Sequence, residues 1–265
     1  TVLLDIMREL SGANPDKPNL KILYLDTEMR VDPDAAVRYI AGNIGVPYWL
    51  IDSRQWRKDT KWAPLIKKEL QRIRDLTEKN LFFHQIGNMS GSEMDKFIKN
   101  WYLTECGRGN PCVIIYDYLK INTKDKSEAD SQKEYEIAYD KTEVLKDCAE
   151  YCNAPILSAI QGNRSADIFS KAGPDDSSGA ASISDRIGWL AALMLILRPR
   201  MPDEILADSY PGVVASSHKL IHLKQRYLGK DGPDFLKYVK VKHGEKIRYE
   251  KNYININIDN FRVTD

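Results

Sequence analysis

The chain has 265 residues, with 39 lysines and arginines against 38 aspartates and glutamates, so its formal net charge is +1. A composition of 43% hydrophobic and 29% charged residues is typical of a globular protein, which excludes disordered and fibrous classes. The longest apolar run, 189–197, is far shorter than the roughly 20 residues that a membrane helix needs.

The charge is distributed unevenly along the chain. Residues 219–251 contain ten lysines and arginines and four acidic residues, a net charge of +6, so the remainder carries −5. This balance excludes a uniformly basic surface for nucleic acid. A local basic patch and an ordinary solvated face of a strand hairpin both remain open.

The four cysteines are too few for a disulfide scaffold in a chain of this length. Cys106, Cys112, Cys148 and Cys152 also lack the CxxC spacing that is usual for zinc sites. We therefore expect small buried thiols in a reducing, cytoplasmic setting.

Apolar strands alternate with amphipathic helices through most of the chain. The periodicity predicts helices at 1–10, 34–44, 61–79, 92–106 and 132–152. It predicts strands at 21–28, 81–84, 112–119, 155–161, 189–197, 218–226 and 235–241, with a polar loop at 162–185. Continuous apolar strands separated by helices indicate a parallel sheet covered by helices. The alternating pattern around 243–244 predicts a hairpin, and 254–258 a final half-exposed strand.

Ligands of such sheets gather beyond the carboxyl ends of the strands, where three polar residues stand. Glu28 closes the first strand and is either a base that deprotonates a water or a solvated or helix-capping acid. Asp117 follows four apolar or aromatic residues, which matches the Walker B pattern, where the carboxylate holds Mg²⁺. Gln161 ends a later strand, where an amide could contact a γ-phosphate.

Lys224 and Arg226 are two residues apart on a predicted strand and therefore share a face. Two such cations are either ordinary surface residues or an arginine-finger arrangement directed at a phosphate.

Taken in order, these segments resemble the RecA-like ATPase core, and more closely the C-terminal motor domain of DnaB-type hexameric replicative helicases of phages and bacteria. Five segments carry the resemblance: Asp26-Thr27-Glu28-Met29 for the family's Ser-Leu-Glu-Met, Asp117-Tyr118-Leu119 for Asp-Tyr-Leu, Gln161-Gly162-Asn163-Arg164 for Gln-Leu-Asn-Arg, Ser178-Gly179 for the Ser-Gly DNA loop, and Lys224-Gln225-Arg226 for Lys-x-Arg. The resemblance runs from Thr1 to about Tyr253.

The resemblance implies an α/β fold, namely a RecA-like P-loop NTPase core with a mostly parallel central sheet flanked by helices and a C-terminal antiparallel hairpin. It implies an ATPase domain over 1–252, followed by a C-terminal strand or tail over 253–265. ATP and Mg²⁺ are the implied cofactors, with Glu28 as catalytic base, Asp117 as magnesium ligand and Gln161 as phosphate sensor. Lys224 and Arg226 would form a finger that acts across the interface of a homo-hexamer.

The implied activity is that of an ATP-driven helicase that translocates on single-stranded DNA. The loops at 120–130 and 162–182 are the expected DNA contacts, through Lys124, Lys126, Arg164, Lys171, Ser178 and Gly179. Asp176 and Ser177 stand where the family has an Arg-Glu pair, which is a departure from its pattern. Primase and a helicase loader are further implied partners, in a cytoplasmic replisome at the nucleoid or in the host cytoplasm of a phage.

The sequence contains no GxxxxGK[ST] motif, because Gly229-Lys230 is followed by Asp231. Residues 1–10 resemble the helix that follows the family's P-loop, so we expect Thr1 at the nucleotide and the P-loop upstream of the chain. Two alternatives remain: another RecA-type DNA-dependent ATPase, of recombinase or plasmid replication type, and a non-hydrolysing DNA-binding scaffold subunit.

Overall fold

The computed structural model describes residues 2–12, 20–30, 34–87, 89–119, 134–160, 185–208, 216–225, 238–243, 246–251, 253–257 and 262–263. The chain divides into two compact units, Thr1–Gln161 and Gly162–Asp265. In the described parts, no helix has both the length and the apolarity that a membrane crossing requires.

The first unit alternates strands and helices, as the sequence predicts. Its helices are α1 (Val2–Gly12), α2 (Ala36–Ile44), α3 (Tyr48–Asp52), α4 (Trp62–Thr77), α5 (Gly91–Trp101) and α6 (Glu134–Cys152). Its strands are β1 (Lys21–Asp26), β2 (Leu81–Gln85), β3 (Cys112–Asp117) and β4 (Ile156–Ser158). A 3₁₀ turn covers Gln55–Lys58, and a π-helical turn, Tyr102–Cys106, follows α5. The predicted elements of this unit are present with ends shifted by a few residues; α3 was not predicted.

The four strands form one parallel sheet in the order β2-β1-β3-β4. The strands that precede Glu28, Asp117 and Gln161 therefore lie side by side, which confirms the predicted arrangement of the strands. Gln161 itself lies outside the described residues. In β1, Ile22 to Asp26 are all buried, and such a continuous buried run is what a parallel sheet covered on both faces requires.

Alternate residues of β1 and β3 pack into two different core clusters. Leu23 and Ile114 belong to the cluster that includes residues of α5 and α6, whereas Tyr24 and Ile115 belong to the one that includes residues of α1. This division follows from the two-residue repeat of a strand. A third cluster, in which Ile66 is fully buried, joins residues of α2, α3 and α4.

All four cysteines are free and buried, which confirms the expectation from their spacing. Burial raises the pKa of each thiol, in the case of Cys112 to about 12, so none is a reactive thiolate at neutral pH.

The described residues of the second unit form antiparallel strands and two short helices. Its helices are α7 (Asp185–Leu190) and α8 (Pro202–Asp208). Its strands are β5 (Leu193–Pro199), β6 (His218–Gln225), β7 (Tyr238–His243), β8 (Lys246–Lys251), β9 (Tyr253–Asn257) and β10 (Arg262–Val263). One sheet has the order β10-β9-β6-β5, and β7 with β8 forms the predicted antiparallel hairpin.

One predicted strand is wrong in its first part. Residues 185–190 form α7, and β5 begins only at Leu193, so the run 189–197 contains the end of a helix and the start of a strand. A short apolar run fits either element equally well, since hydrophobicity without periodicity does not separate them. The strand β9 pairs with β6 in an antiparallel arrangement. The domain boundary predicted after residue 252 stays a prediction.

Candidate functional site

The candidate site is the edge of the parallel sheet where β1 and β3 end. Asp26 and Asp117 are register partners at these ends, and Gln85 at the end of β2 pairs with Asp26 on the other side. Backbone hydrogen bonds continue past the strands, because the amide of Thr27 donates to the carbonyl of Asp117 over 2.9 Å. The amide of Leu119 likewise donates to the carbonyl of Ala159 over 2.8 Å. The residues that follow β1, β3 and β4 are thus held along one edge.

Glu28 is exposed at this edge and is held by contacts from both neighbouring strands. The hydroxyl of Tyr118 donates to its Oε1 over 3.0 Å, and Nε2 of Gln85 donates to its backbone carbonyl over 3.2 Å. The N-cap of α2 is Ala35, so Glu28 does not cap that helix. An exposed, oriented carboxylate can accept a proton from water, as a general base does.

Asp26 lies beneath Glu28 and is only 2% exposed. Its Oδ1 accepts hydrogen bonds from the backbone amides of Glu28 and Met29, over 2.7 and 2.6 Å, and so fixes the turn that carries Glu28. Its Oδ2 is buried and accepts no hydrogen bond within the described part of the chain. Burial raises the pKa of Asp26 above its ordinary value, although the two amide hydrogen bonds lower it. In the sequence, Asp26 stands at the serine position of the family that the chain resembles, and the motifs assign no role to it.

Asp117 is half-buried at the end of β3, and its carboxylate is held from the neighbouring strand. The hydroxyl of Tyr24 donates to Asp117 Oδ2 over 2.7 Å. Burial, and then the negative charge of Asp117, raise the pKa of Tyr24 above its ordinary value, so this hydroxyl keeps its proton and remains a donor.

The donor set at this edge fits a magnesium ion that is shared with phosphates. Carboxylate oxygens are the ligands that Mg²⁺ prefers, and the half-buried Asp117 would supply one of them. No group of three or more acidic, histidine or cysteine side chains among the described residues forms a complete metal cage. A nucleotide-bound Mg²⁺ needs no such cage, because it keeps several waters and takes phosphate oxygens together with one or two carboxylates.

The structure brings together Glu28 and Asp117 of the predicted site residues. Lys224 lies in β6, as predicted, opposite Met194 of β5. The other predicted residues lie outside the described part of the chain: Thr1, Gln161, Arg226 and the DNA-contact candidates Lys124, Lys126, Arg164, Lys171, Ser178 and Gly179.

Comparison with known proteins gives matches only at the level of solved structures. No protein-family model and no curated protein sequence matches the chain. The ATPase domain of a phage protein is similar with a TM-score of 0.68 at 12% identity, over 99% of this chain and 78% of that one. A DnaB-like replicative helicase, described with its interactions with primase, is similar with a TM-score of 0.62 at 13% identity, over 92% of this chain and 50% of that one. This chain therefore has the RecA-like fold of a DnaB-type helicase ATPase domain.

Proposed function

We propose that the chain is the ATPase motor of a DNA helicase, which works as a homo-hexameric ring and translocates on single-stranded DNA. The observation that carries this proposal is the placement of Asp117 at the end of β3 and of Glu28 two residues beyond the end of the adjacent parallel strand β1. Tyr118, the residue after Asp117, donates a hydrogen bond to Glu28. The likeness of the fold to a DnaB-like replicative helicase supports it.

In this mechanism the two carboxylates have different tasks. Asp117 would hold Mg²⁺, which when bound neutralises charge on the phosphates of ATP. Glu28, exposed and oriented by Tyr118, would accept the proton of the attacking water. Gln161 follows β4 in the chain, and β4 pairs with β3. Gln161 would contact the γ-phosphate, and Thr1 would lie at the nucleotide.

Lys224 and Arg226 would complete the site of a neighbouring subunit. Two cations on one strand would stabilise the charge that develops on the transferred phosphoryl group. Single-stranded DNA would bind the loops at 120–130 and 162–182 through the six candidate contacts given above. A primase is a candidate partner because the DnaB-like structural neighbour was described with one, and a helicase loader is a second. The expected location is the cytoplasm, at a replisome.

The experiment compares Glu28→Gln with wild type in the full-length protein. Removing a general base lowers a rate by roughly two to four orders of magnitude, whereas Gln keeps the shape of Glu and leaves nucleotide binding intact. ATP turnover with single-stranded DNA and equilibrium binding of ATP are measured on both proteins. The matched control is Glu78→Gln, since Glu78 is exposed and precedes the amino end of β2, at the opposite edge of the sheet.

The proposal expects turnover to fall in Glu28→Gln alone, with binding unchanged. Equal turnover in the two variants would contradict the assignment of Glu28. Binding of DNA without any ATP hydrolysis by wild type would favour the scaffold alternative. Hydrolysis without unwinding of forked DNA would favour a recombinase-type ATPase.

A further inference from the structure

Tyr24 contacts the candidate magnesium ligand from inside the core. It belongs to β1, its side chain has 0% exposure, and its hydroxyl donates to Asp117 Oδ2 over 2.7 Å. The residue directly opposite Tyr24 on β3 is Ile115, so Asp117 is the diagonal neighbour two residues further toward the strand end. A diagonal neighbour on the same sheet face is within reach of a long aromatic side chain.

The ring of Tyr24 is held firmly enough to fix its hydroxyl. Its register partner on β2 is Phe83, and the two rings stack with centroids 4.8 Å apart and planes 11° apart. Residues of α1 pack in the same core cluster as Tyr24. The hydroxyl is therefore a donor at a fixed place rather than a mobile group that follows the carboxylate.

A fixed donor on one carboxylate oxygen orients the other. Hydrogen bonds from a neutral hydroxyl to a carboxylate are short and strong, and the 2.7 Å distance fits this class. With Oδ2 engaged by Tyr24, Oδ1 is the oxygen that remains to meet a cation or its water. Outer partners of this kind set the orientation of metal-binding carboxylates, and losing one typically costs roughly 10- to 100-fold in metal affinity.

We propose that Tyr24 is a positioning residue for Asp117, holding its carboxylate in the orientation that receives the Mg²⁺ of the bound nucleotide. This inference rests on the proposed ATPase function and adds to it a residue that the motifs do not contain. In the sequence Tyr24 has the pattern of a core residue, and only the strand register places it beside Asp117.

The test is the substitution Tyr24→Phe, which keeps the ring and its stacking on Phe83 and removes only the hydroxyl. Binding of a fluorescent ADP analogue to the full-length protein is titrated with Mg²⁺, and the half-saturating Mg²⁺ concentration is the readout. We expect this concentration to rise about 10- to 100-fold. Nucleotide binding should return to the wild-type level in excess Mg²⁺, a recovery that general loss of structure would not give.

Two further variants separate positioning from a structural effect. Tyr116→Phe removes a hydroxyl from a tyrosine that is 1% exposed and packs in the core cluster on the other face of the sheet, so it should leave the Mg²⁺ midpoint unchanged. In an Asp117→Asn background, Tyr24→Phe should cause no additional shift, because it acts through the Asp117 carboxylate. An equal shift in both backgrounds would contradict this route.

The outcomes distinguish this inference from the function on which it rests. A wild-type protein that binds the nucleotide without any dependence on Mg²⁺ would overturn the proposed function. A wild-type protein with Mg²⁺-dependent binding and a Tyr24→Phe variant with the same midpoint would overturn only the role of Tyr24. If Tyr24→Phe does not fold, Phe83→Leu is the deciding variant, because it removes the surface on which Tyr24 stacks and keeps the Tyr24 hydroxyl. We expect a smaller rise in the half-saturating Mg²⁺ concentration, and an unchanged concentration would refute the inference.

Discussion

Asp26 and Asp117 are register partners, side by side at the carboxyl ends of two adjacent parallel strands. The first carboxylate holds the turn that carries Glu28, through the amides of Glu28 and Met29, and the second is the candidate magnesium ligand. Glu28 follows Asp26 by two residues, so the pairing of Asp26 with Asp117 fixes the position of the proposed base relative to the proposed metal ligand. The geometry of the site therefore depends on the sheet itself rather than on a mobile loop.

Replacing Asp26 by Ala should loosen this turn. Two backbone amides lose their acceptor, and we expect a loss of about 1–3 kcal/mol in the free energy of unfolding, together with lower ATP turnover. Asp26→Ser introduces the residue that the resembled family has at this position. It should recover part of the lost stability and part of the lost turnover, because the serine hydroxyl accepts an amide hydrogen bond. Urea denaturation measures the free energy of unfolding. Asp75→Ala is the control, because Asp75 accepts an exposed hydrogen bond from Gln71. If Asp75→Ala lost as much stability as Asp26→Ala, the role of Asp26 would be contradicted.

Glu204 should make the second unit sensitive to acid. It accepts two hydrogen bonds from Arg198, over 2.8 and 2.9 Å, one from Lys219 over 2.9 Å and one from the Met201 amide over 2.8 Å. Burial would raise the pKa of Glu204, but these hydrogen bonds outweigh it and lower the pKa to about 2. Because the folded pKa lies below the unfolded one, the stabilisation is complete above the unfolded pKa and is lost as the pH falls toward 2.

The measurement is the free energy of unfolding of wild type and Glu204→Gln as a function of pH. At pH 7 the variant should be less stable by about 3–5 kcal/mol, since the buried Arg198 and Lys219 both lose the carboxylate charge of Glu204. The difference should shrink as the pH falls from about 4.5 toward 2. Glu150→Gln, which removes an exposed pair with Lys146, should change stability by less than about 0.5 kcal/mol. A difference between wild type and Glu204→Gln that stays constant with pH would show that the lowered pKa is wrong.

The centre of the parallel sheet should tolerate truncation poorly. Ile114 is 0% exposed and lies in β3 between β1 and β4. Ile114→Ala should lower the free energy of unfolding by about 2–5 kcal/mol, through lost burial and the cavity that remains. Leu103→Ala is the comparison, because Leu103 is 43% exposed and should cost far less in the same chemical denaturation experiment. Similar losses would mean that β3 is not at the centre of the core.

Arg226 should act across a subunit interface. We expect Arg226→Ala to lower ATP turnover on the order of a thousandfold, as loss of an arginine finger does. Mixed with Glu28→Gln subunits, it should recover part of the activity, because some interfaces then combine an intact Glu28 with an intact neighbouring Arg226. Turnover assays of such mixtures at several ratios measure this. Absence of recovery at every ratio would place both residues in the same site.

The parallel sheet was predictable because its strands are continuous apolar runs separated by amphipathic helices, and Glu28 and Asp117 stand directly at the ends of two of them. Tyr24 and Asp26 could not be assigned in this way. Their partners lie on a neighbouring strand or in the following turn, and register is a property of the folded sheet. The helix α8 was missed although Pro202 and two acidic residues at its start are typical of a helix N-terminus.

The central claim is that Glu28 and Asp117 serve one nucleotide at this edge of the sheet. A crystal structure of the full-length protein with a non-hydrolysable ATP analogue and Mn²⁺ tests it most directly, since anomalous scattering locates the metal without assumption. We expect the Mn²⁺ peak about 4 Å from an Asp117 carboxylate oxygen, with one water between them, and the γ-phosphate facing Glu28. A metal and a γ-phosphate bound elsewhere, with neither carboxylate in contact directly or through a water, would contradict the account.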